Sequence, residues 1–119
     1  MVNNPTWKGP IFDIAMVREV AAAGYISYAG RKVTRDVANL GYDLRDVKAC
    51  LEALAAKDFI GSVDYPTGAS TKLSCDAYCV AYCSARNEKA DTIYLKFHIT
   101  QVTHKTTRKL MVCSFHLSR

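Results

Sequence analysis

The hydrophobic pattern of this chain changes period near its midpoint. In the first half, apolar residues recur at three- and four-residue intervals. Ile14, Val17, Val20 and Ala21 form one helical stripe, opened by the capping carboxylate of Asp13 and closed before Gly24. Residues 34–40 read as a short helix stopped by Gly41. Asp43 then caps a longer helix to about residue 56, with Leu44, Val47, Leu51 and Leu54 inward and Arg45, Lys48 and Glu52 toward water.

The second half alternates with period two. Strands are predicted over residues 59–65, 73–83, 92–102 and 108–117. They are separated by the Pro66-Thr67-Gly68 turn, the polar run 84–89 and a loop at 104–107. Helices followed by consecutive strands predict an α+β domain. N-terminal helices should cover one face of a mostly antiparallel C-terminal sheet. Residues 1–11, with Asn3, Asn4, Pro5, Gly9 and Pro10, read as a flexible arm on a single domain of 119 residues.

Strand alternation sorts the side chains into two faces. In the strand from Thr92, the set Ile93, Leu95, Phe97 and Ile99 should meet the helices. Tyr94, Lys96 and His98 then project from the opposite, open face. In the last strand Met111, Cys113, Phe115 and Leu117 make the better core set, leaving Val112, Ser114 and His116 on the other side. In the strand from Leu73, the small residues Cys75, Ala77, Cys79, Ala81 and Cys83 share a face, which suits close approach of a helix. A zinc site is a poor reading of those cysteines. Thiols four residues apart on a strand are separated by about 13 Å, too far to share one ion, and there is no Cys-x-x-Cys pair.

Charge adds a direction to this picture. The net charge is +5, and no acidic side chain occurs from Thr92 to the end, where Lys96, Lys105, Arg108, Lys109 and Arg119 are cationic. Such a one-signed stretch attracts polyanions such as RNA, although a solvated basic edge explains the charge alone equally well. No segment approaches the ~20 apolar residues of a membrane span, and the first ten residues lack the apolar run of a signal peptide. Five cysteines without a secretory signal read as reduced thiols in a cytoplasmic protein.

An open face carrying Tyr94, Lys96 and His116 suits RNA cleavage without a metal or cofactor. The ribose 2′-OH is the nucleophile; the protein supplies a proton acceptor, a cation for the phosphate and an acid for the leaving oxygen. His116 is the best acid/base candidate, because histidine changes charge near neutral pH. Lys96 or Arg108 can hold the phosphate, and Tyr94 can donate to a phosphate oxygen or stack on a base. Lys57, His98, Lys109 and Arg119 complete the expected RNA-contacting set. Exposed Tyr, Lys and His are also ordinary on a solvated sheet. There is no Gly-rich phosphate loop, carboxylate cluster for Mg²⁺ or His-x-x-x-His pair.

Four segments, in order, resemble the MqsR family of toxins, within the RelE-like group of messenger-RNA interferases. Leu40-Gly41-Tyr42-Asp43-Leu44, followed by a helix and Lys57-Asp58-Phe59, resembles that family's passage from helix to first strand. Asp76-Ala77-Tyr78 resembles its Asp-Val-Tyr. Ile93-Tyr94-Leu95-Lys96-Phe97 is similar to its Val-Tyr-Leu-Lys-Ile, and Val112-Cys113-Ser114-Phe115-His116 to its terminal Val-Ser-Phe-Lys. The resemblance runs from about Phe12 to the C-terminus. It implies a RelE-like fold, a metal-independent ribonuclease that cleaves messenger RNA and arrests growth, and a cognate antitoxin protein as partner. Of the family's proposed catalytic set, Tyr94 is matched, and His116 stands at the position of the terminal Lys. Cys75 stands at the Gln position. Gly61 stands at the first-strand Lys position, with Lys57 just before Asp58. These departures leave two alternatives: an RNA- or ribosome-binding domain without catalysis, or a basic module that docks an acidic protein.

Overall fold

A computed structural model describes residues 9–66, 72–85, 89–101 and 108–118. Residues 1–8 of the expected arm, Thr67-Gly68 of the turn, 86–88 of the polar run, the 104–107 loop and Arg119 lie outside the described residues. Helices α1 (Ile14–Ala22), α2 (Arg31–Asn39) and α3 (Leu44–Glu52) precede a 3₁₀ turn, Ala56–Asp58. Strand β1 (Ile26–Tyr28) lies between α1 and α2, and β2 (Phe59–Pro66), β3 (Lys72–Tyr82), β4 (Asp91–Gln101) and β5 (Arg108–Leu117) follow. The architecture is α+β, with one five-stranded sheet in the order β1-β5-β4-β3-β2. Neighbours are antiparallel except β1, which runs parallel to β5.

The helices begin and end for local reasons. Asp13 accepts the Ala15 amide at 3.4 Å. Asp43 and Asp46 form a reciprocal capping box on α3. α1 and α2 stop in the same way. Gly24 and Gly41 take left-handed backbone, with φ of 82° and 77°, which an L side chain resists. The amides of Tyr25 and Tyr42 then return to the Val20 and Val37 carbonyls, closing each helix end.

The helices pack on the sheet face that carries Tyr78, Val80, Ile93, Leu95, Phe97, Ile99, Leu110, Val112 and Phe115, in one cluster with Val17, Val20, Val37, Val47, Leu51 and Leu54. The β4 alternation is therefore as expected. The β5 alternation is not. Lys96 lies opposite Ser114 and Phe97 opposite Val112, so Cys113 is an extra residue in β5. This bulge reverses the parity of the strand. Leu110 and Val112 enter the core from one side of it and Phe115 from the other, while Met111 and Cys113 leave the expected core face. The β3 reading is also corrected. Tyr78 and Val80 face the helices, so the small residues Ala77 and Cys79 lie on the side away from the helices, where Ala77 is nevertheless buried.

Further differences have simple causes. α2 begins at Arg31, three residues before the expected start, and α3 ends at Glu52, where the 3₁₀ turn takes over before β2. Leu44 is 48 % exposed, and Asp46 and Cys50 take the buried positions on α3. Asp46 is accommodated because the Tyr82 hydroxyl donates to its carboxylate at 2.7 Å. The three-residue β1 is too short to show an alternation of its own.

Asp76 is fully buried and holds the start of the described chain. Its carboxylate accepts the Ile11 amide at 3.0 Å, the Phe12 amide at 2.9 Å and the Ser62 hydroxyl at 2.8 Å. Ile11, the last residue of the expected arm, is thus fastened to β3.

The Tyr78 hydroxyl is buried and has no hydrogen-bond partner among the described residues. Burial pushes its pKa up to about 12, with the Asp76 charge adding to the effect. Between pH 10 and 12 the unfolded chain loses this proton while the folded one keeps it. This proton therefore leaves folding stability unchanged with pH below 10 and lowers it as pH rises through that window. Tyr78→Phe should raise stability at neutral pH by about 1 kcal/mol and flatten the alkaline decline. Urea melts at pH 7 and 11 check both.

Candidate functional site

The face opposite the helices brings the three expected catalytic residues together. β4 and β5 are in register at Tyr94 and His116, and the two rings stack with centroids 5.1 Å apart and planes 18° from parallel. One step along, Lys96 lies opposite Ser114. Tyr94 and Lys96 are half-buried and His116 is exposed. The β5 bulge lies just past this step, at Cys113. An unbulged β5 would have to turn either Val112 or the pair Ser114 and His116 to the wrong face.

The His116 ring is oriented as well as placed. Its Nδ1 lies 2.9 Å from the Leu117 carbonyl, which can only accept. The ring proton is therefore assigned to Nδ1, leaving the Nε2 lone pair to take a proton. Burial raises the Tyr94 pKa, and the nearby Cys79 and Cys75 raise it further. Tyr94 accordingly keeps its proton at neutral pH and acts as a hydrogen-bond donor.

Within electrostatic reach of Lys96 lies a pair of thiols. The Sγ atoms of Cys75 and Cys113, from strands on either side of β4, are 3.7 Å apart, and both residues are buried. The Cys75 thiol donates to Cys113, which lowers the Cys113 pKa, and the Lys96 charge lowers it further. The same hydrogen bond and burial raise that of Cys75. Lys96 thus sits within electrostatic reach of Cys113. Among the described residues, no three His, Cys, Asp or Glu side chains converge as a metal site. Gly61 and Cys75, two of the positions where the chain departs from the resembled catalytic set, both belong to this face. Gly61 is in register with Ala77, and Ala77 with Lys96.

The expected RNA-contacting residues are more dispersed. His98 packs edge-on against Phe12 at 5.4 Å, and its Nδ1–H donates to the Ser74 carbonyl at 2.9 Å. It fastens the margin of the face to the N-terminal segment. Arg108 and Lys109 are exposed at the far end of β5, opposite Gln101 and Thr100. Lys109 is seven residues from His116, roughly 20 Å at the rise of a strand, so the two cannot grip one phosphate. Lys57 lies on the 3₁₀ turn before β2, the opposite edge strand, with its ammonium 3.4 Å from Asp58.

A groove beside His116 was not legible in the sequence. β1 pairs with β5 only at Leu110–Val112, and α2 flanks β5 beyond that point. A cavity of about 440 Å³ there is lined by Lys32, Asp36, Asn39, Leu40, His116 and Leu117. A second, of about 290 Å³, shares Lys32, Asp36 and His116 and reaches Ser114 and Cys113. The pattern of α2 shows which residues are exposed, but only the pairing of β1 places them beside β5.

No protein-family model matches the chain, and no curated protein matches its sequence.

Proposed function

We propose that this protein is a metal-independent endoribonuclease of the MqsR type, with a RelE-like fold, acting in the cytoplasm as the toxin of a toxin–antitoxin pair. The observation that carries the reading is the stacked, in-register Tyr94–His116 pair next to Lys96 on the face opposite the helices. The ordered resemblance of four segments adds the family and the biological role.

The chemistry follows from the placement. His116 Nε2 takes the proton of a ribose 2′-OH as that oxygen forms a bond to phosphorus. Lys96 stabilises the charge that builds on the non-bridging oxygens. The bond from phosphorus to the 5′-oxygen breaks, and the Tyr94 hydroxyl, held protonated, hydrogen-bonds the departing oxygen. That oxygen leaves as a 5′-hydroxyl once protonated, with the imidazolium as the proton's source. The products are a 2′,3′-cyclic phosphate and a 5′-hydroxyl. Messenger RNA is the substrate, and an antitoxin protein covering the basic face blocks access to it.

Incubation of the purified protein with RNA in excess EDTA should give fragments ending in cyclic phosphate, identified by mass spectrometry. Complete inhibition by EDTA would rule out this mechanism. Gly61 and Cys75 favour a second reading, because a family position expected to hold Lys holds no side chain and another holds a buried thiol. In that reading the face binds RNA without cutting it, and intact RNA would be retained in a filter-binding assay.

A further inference from the structure

We infer that the groove between α2 and β5 is a base-reading subsite, which takes the unpaired nucleobase attached to the ribose whose phosphate meets His116. This inference rests on the nuclease reading for its link to cleavage, though the groove's selectivity can be measured without cleavage.

Three observations carry it. The first is position: His116 stacks on Tyr94 and also lines both cavities, so one side chain joins the open face to the groove. A nucleotide whose base enters the groove leaves its sugar and phosphate at that ring. The second is size and lining. The 440 Å³ cavity falls in the range of small-ligand sites. Leu40 and Leu117 line it with apolar surface for a base plane, and Leu117 is 39 % exposed although its register partner Ile93 is fully buried. The third is polarity. Asp36 and Asn39 line the same cavity. Lys32, exposed one turn before Asp36, holds the Asp36 carboxylate by an ion pair at 2.6 Å. A carboxylate accepts hydrogen bonds and donates none, and an amide does both. Single-stranded RNA is read through such contacts to the edges of splayed-out bases.

The chemistry sets a direction for the selectivity. Asp36 favours a base that presents an exocyclic amine, as adenine, cytosine and guanine do. Uracil presents carbonyl oxygens at the corresponding positions, and these meet the carboxylate with repulsion. Asn39 can satisfy either kind of edge and so contributes affinity more than choice.

The test uses the full-length protein and uracil-flanked RNA pentamers whose central nucleotide is A, C, G or U, blocked against cleavage by a 2′-methoxy group. Affinities are measured by fluorescence anisotropy. The same four pentamers with a free 2′-OH are scored for cleavage. The wild type should bind each amine-bearing pentamer about tenfold more tightly than the all-uracil one, as one well-placed base contact allows. Asp36→Asn should reduce that ratio to about threefold or less, since its amide can donate to a uracil carbonyl. Asn39→Ala should weaken all four pentamers while keeping their order. Equal affinity of the wild type for all four, or a preference unchanged in Asp36→Asn, would overturn the inference. An Asp36-dependent preference in binding with no cleavage of the free 2′-OH series supports the groove and removes the nuclease. Cleavage with a base preference indifferent to Asp36 does the reverse.

Discussion

His116→Ala is expected to lower the rate of RNA cleavage by about 10²–10⁴-fold, the usual contribution of a positioned acid/base group. The argument is geometric. The Nδ1–H bond to Leu117 assigns the ring proton, the stack on Tyr94 fixes the ring plane, and Nε2 is left to accept a proton. Tyr94→Phe preserves the stacking surface and removes only a donor, so a loss of about 10²-fold is expected. His116→Lys places there the residue found in the strand that this segment resembles, and should retain more activity than His116→Ala. Because His116 is exposed, none of its substitutions should change the thermal midpoint appreciably. Single-turnover cleavage of a labelled RNA measures the rates, and growth after induction gives the cellular counterpart. Growth arrest that survives both His116→Ala and Tyr94→Phe would leave RNA binding as the function of this face.

Asp76→Ala should be severely destabilising, at about 3–5 kcal/mol. Its carboxylate is fully buried and accepts two backbone amides and a hydroxyl from three separate residues. Removing it strands all three donors, each costing about 1–3 kcal/mol if left unpaired, with partial relief as water reaches Ile11. The damage extends to the site, because Phe12 packs on both Phe97 and His98. Asp76→Asn is the discriminating variant. It keeps the shape and turns at least one acceptor into a donor facing an amide, so it should be nearly as destabilising. Urea denaturation checks the magnitude. A loss under 1 kcal/mol for both variants would show that the N-terminal segment is held by other contacts.

Asp76 also shows where a reading of the sequence stops. The triplet Asp76-Ala77-Tyr78 is legible as a motif, but sequence gives an aspartate in a strand no partner. The partners lie 64 and 65 residues earlier in the chain, and on the adjacent strand, so they exist only after folding. Tyr94 and His116 are the opposite case. Period-two alternation placed Tyr94 on the open face, and their pairing needed only that β4 and β5 be antiparallel neighbours in the observed register.

What the sequence determined by itself is the order and type of most elements. Alternation in β4 chose the core set Ile93, Leu95, Phe97 and Ile99, and Asp13, Asp43, Gly24 and Gly41 marked helix ends through local backbone chemistry. These are short-range properties, carried by residues within about one turn of each other. The tertiary structure alone decided the Cys113 bulge, which turned Val112 inward while keeping Ser114 and His116 beside Lys96 and Tyr94. It also decided which face of β3 meets the helices, and it set α2 along the edge of β5 by pairing β1 there. Register, bulges and edge pairing depend on which distant strand lies alongside, and that choice is made by the whole core together.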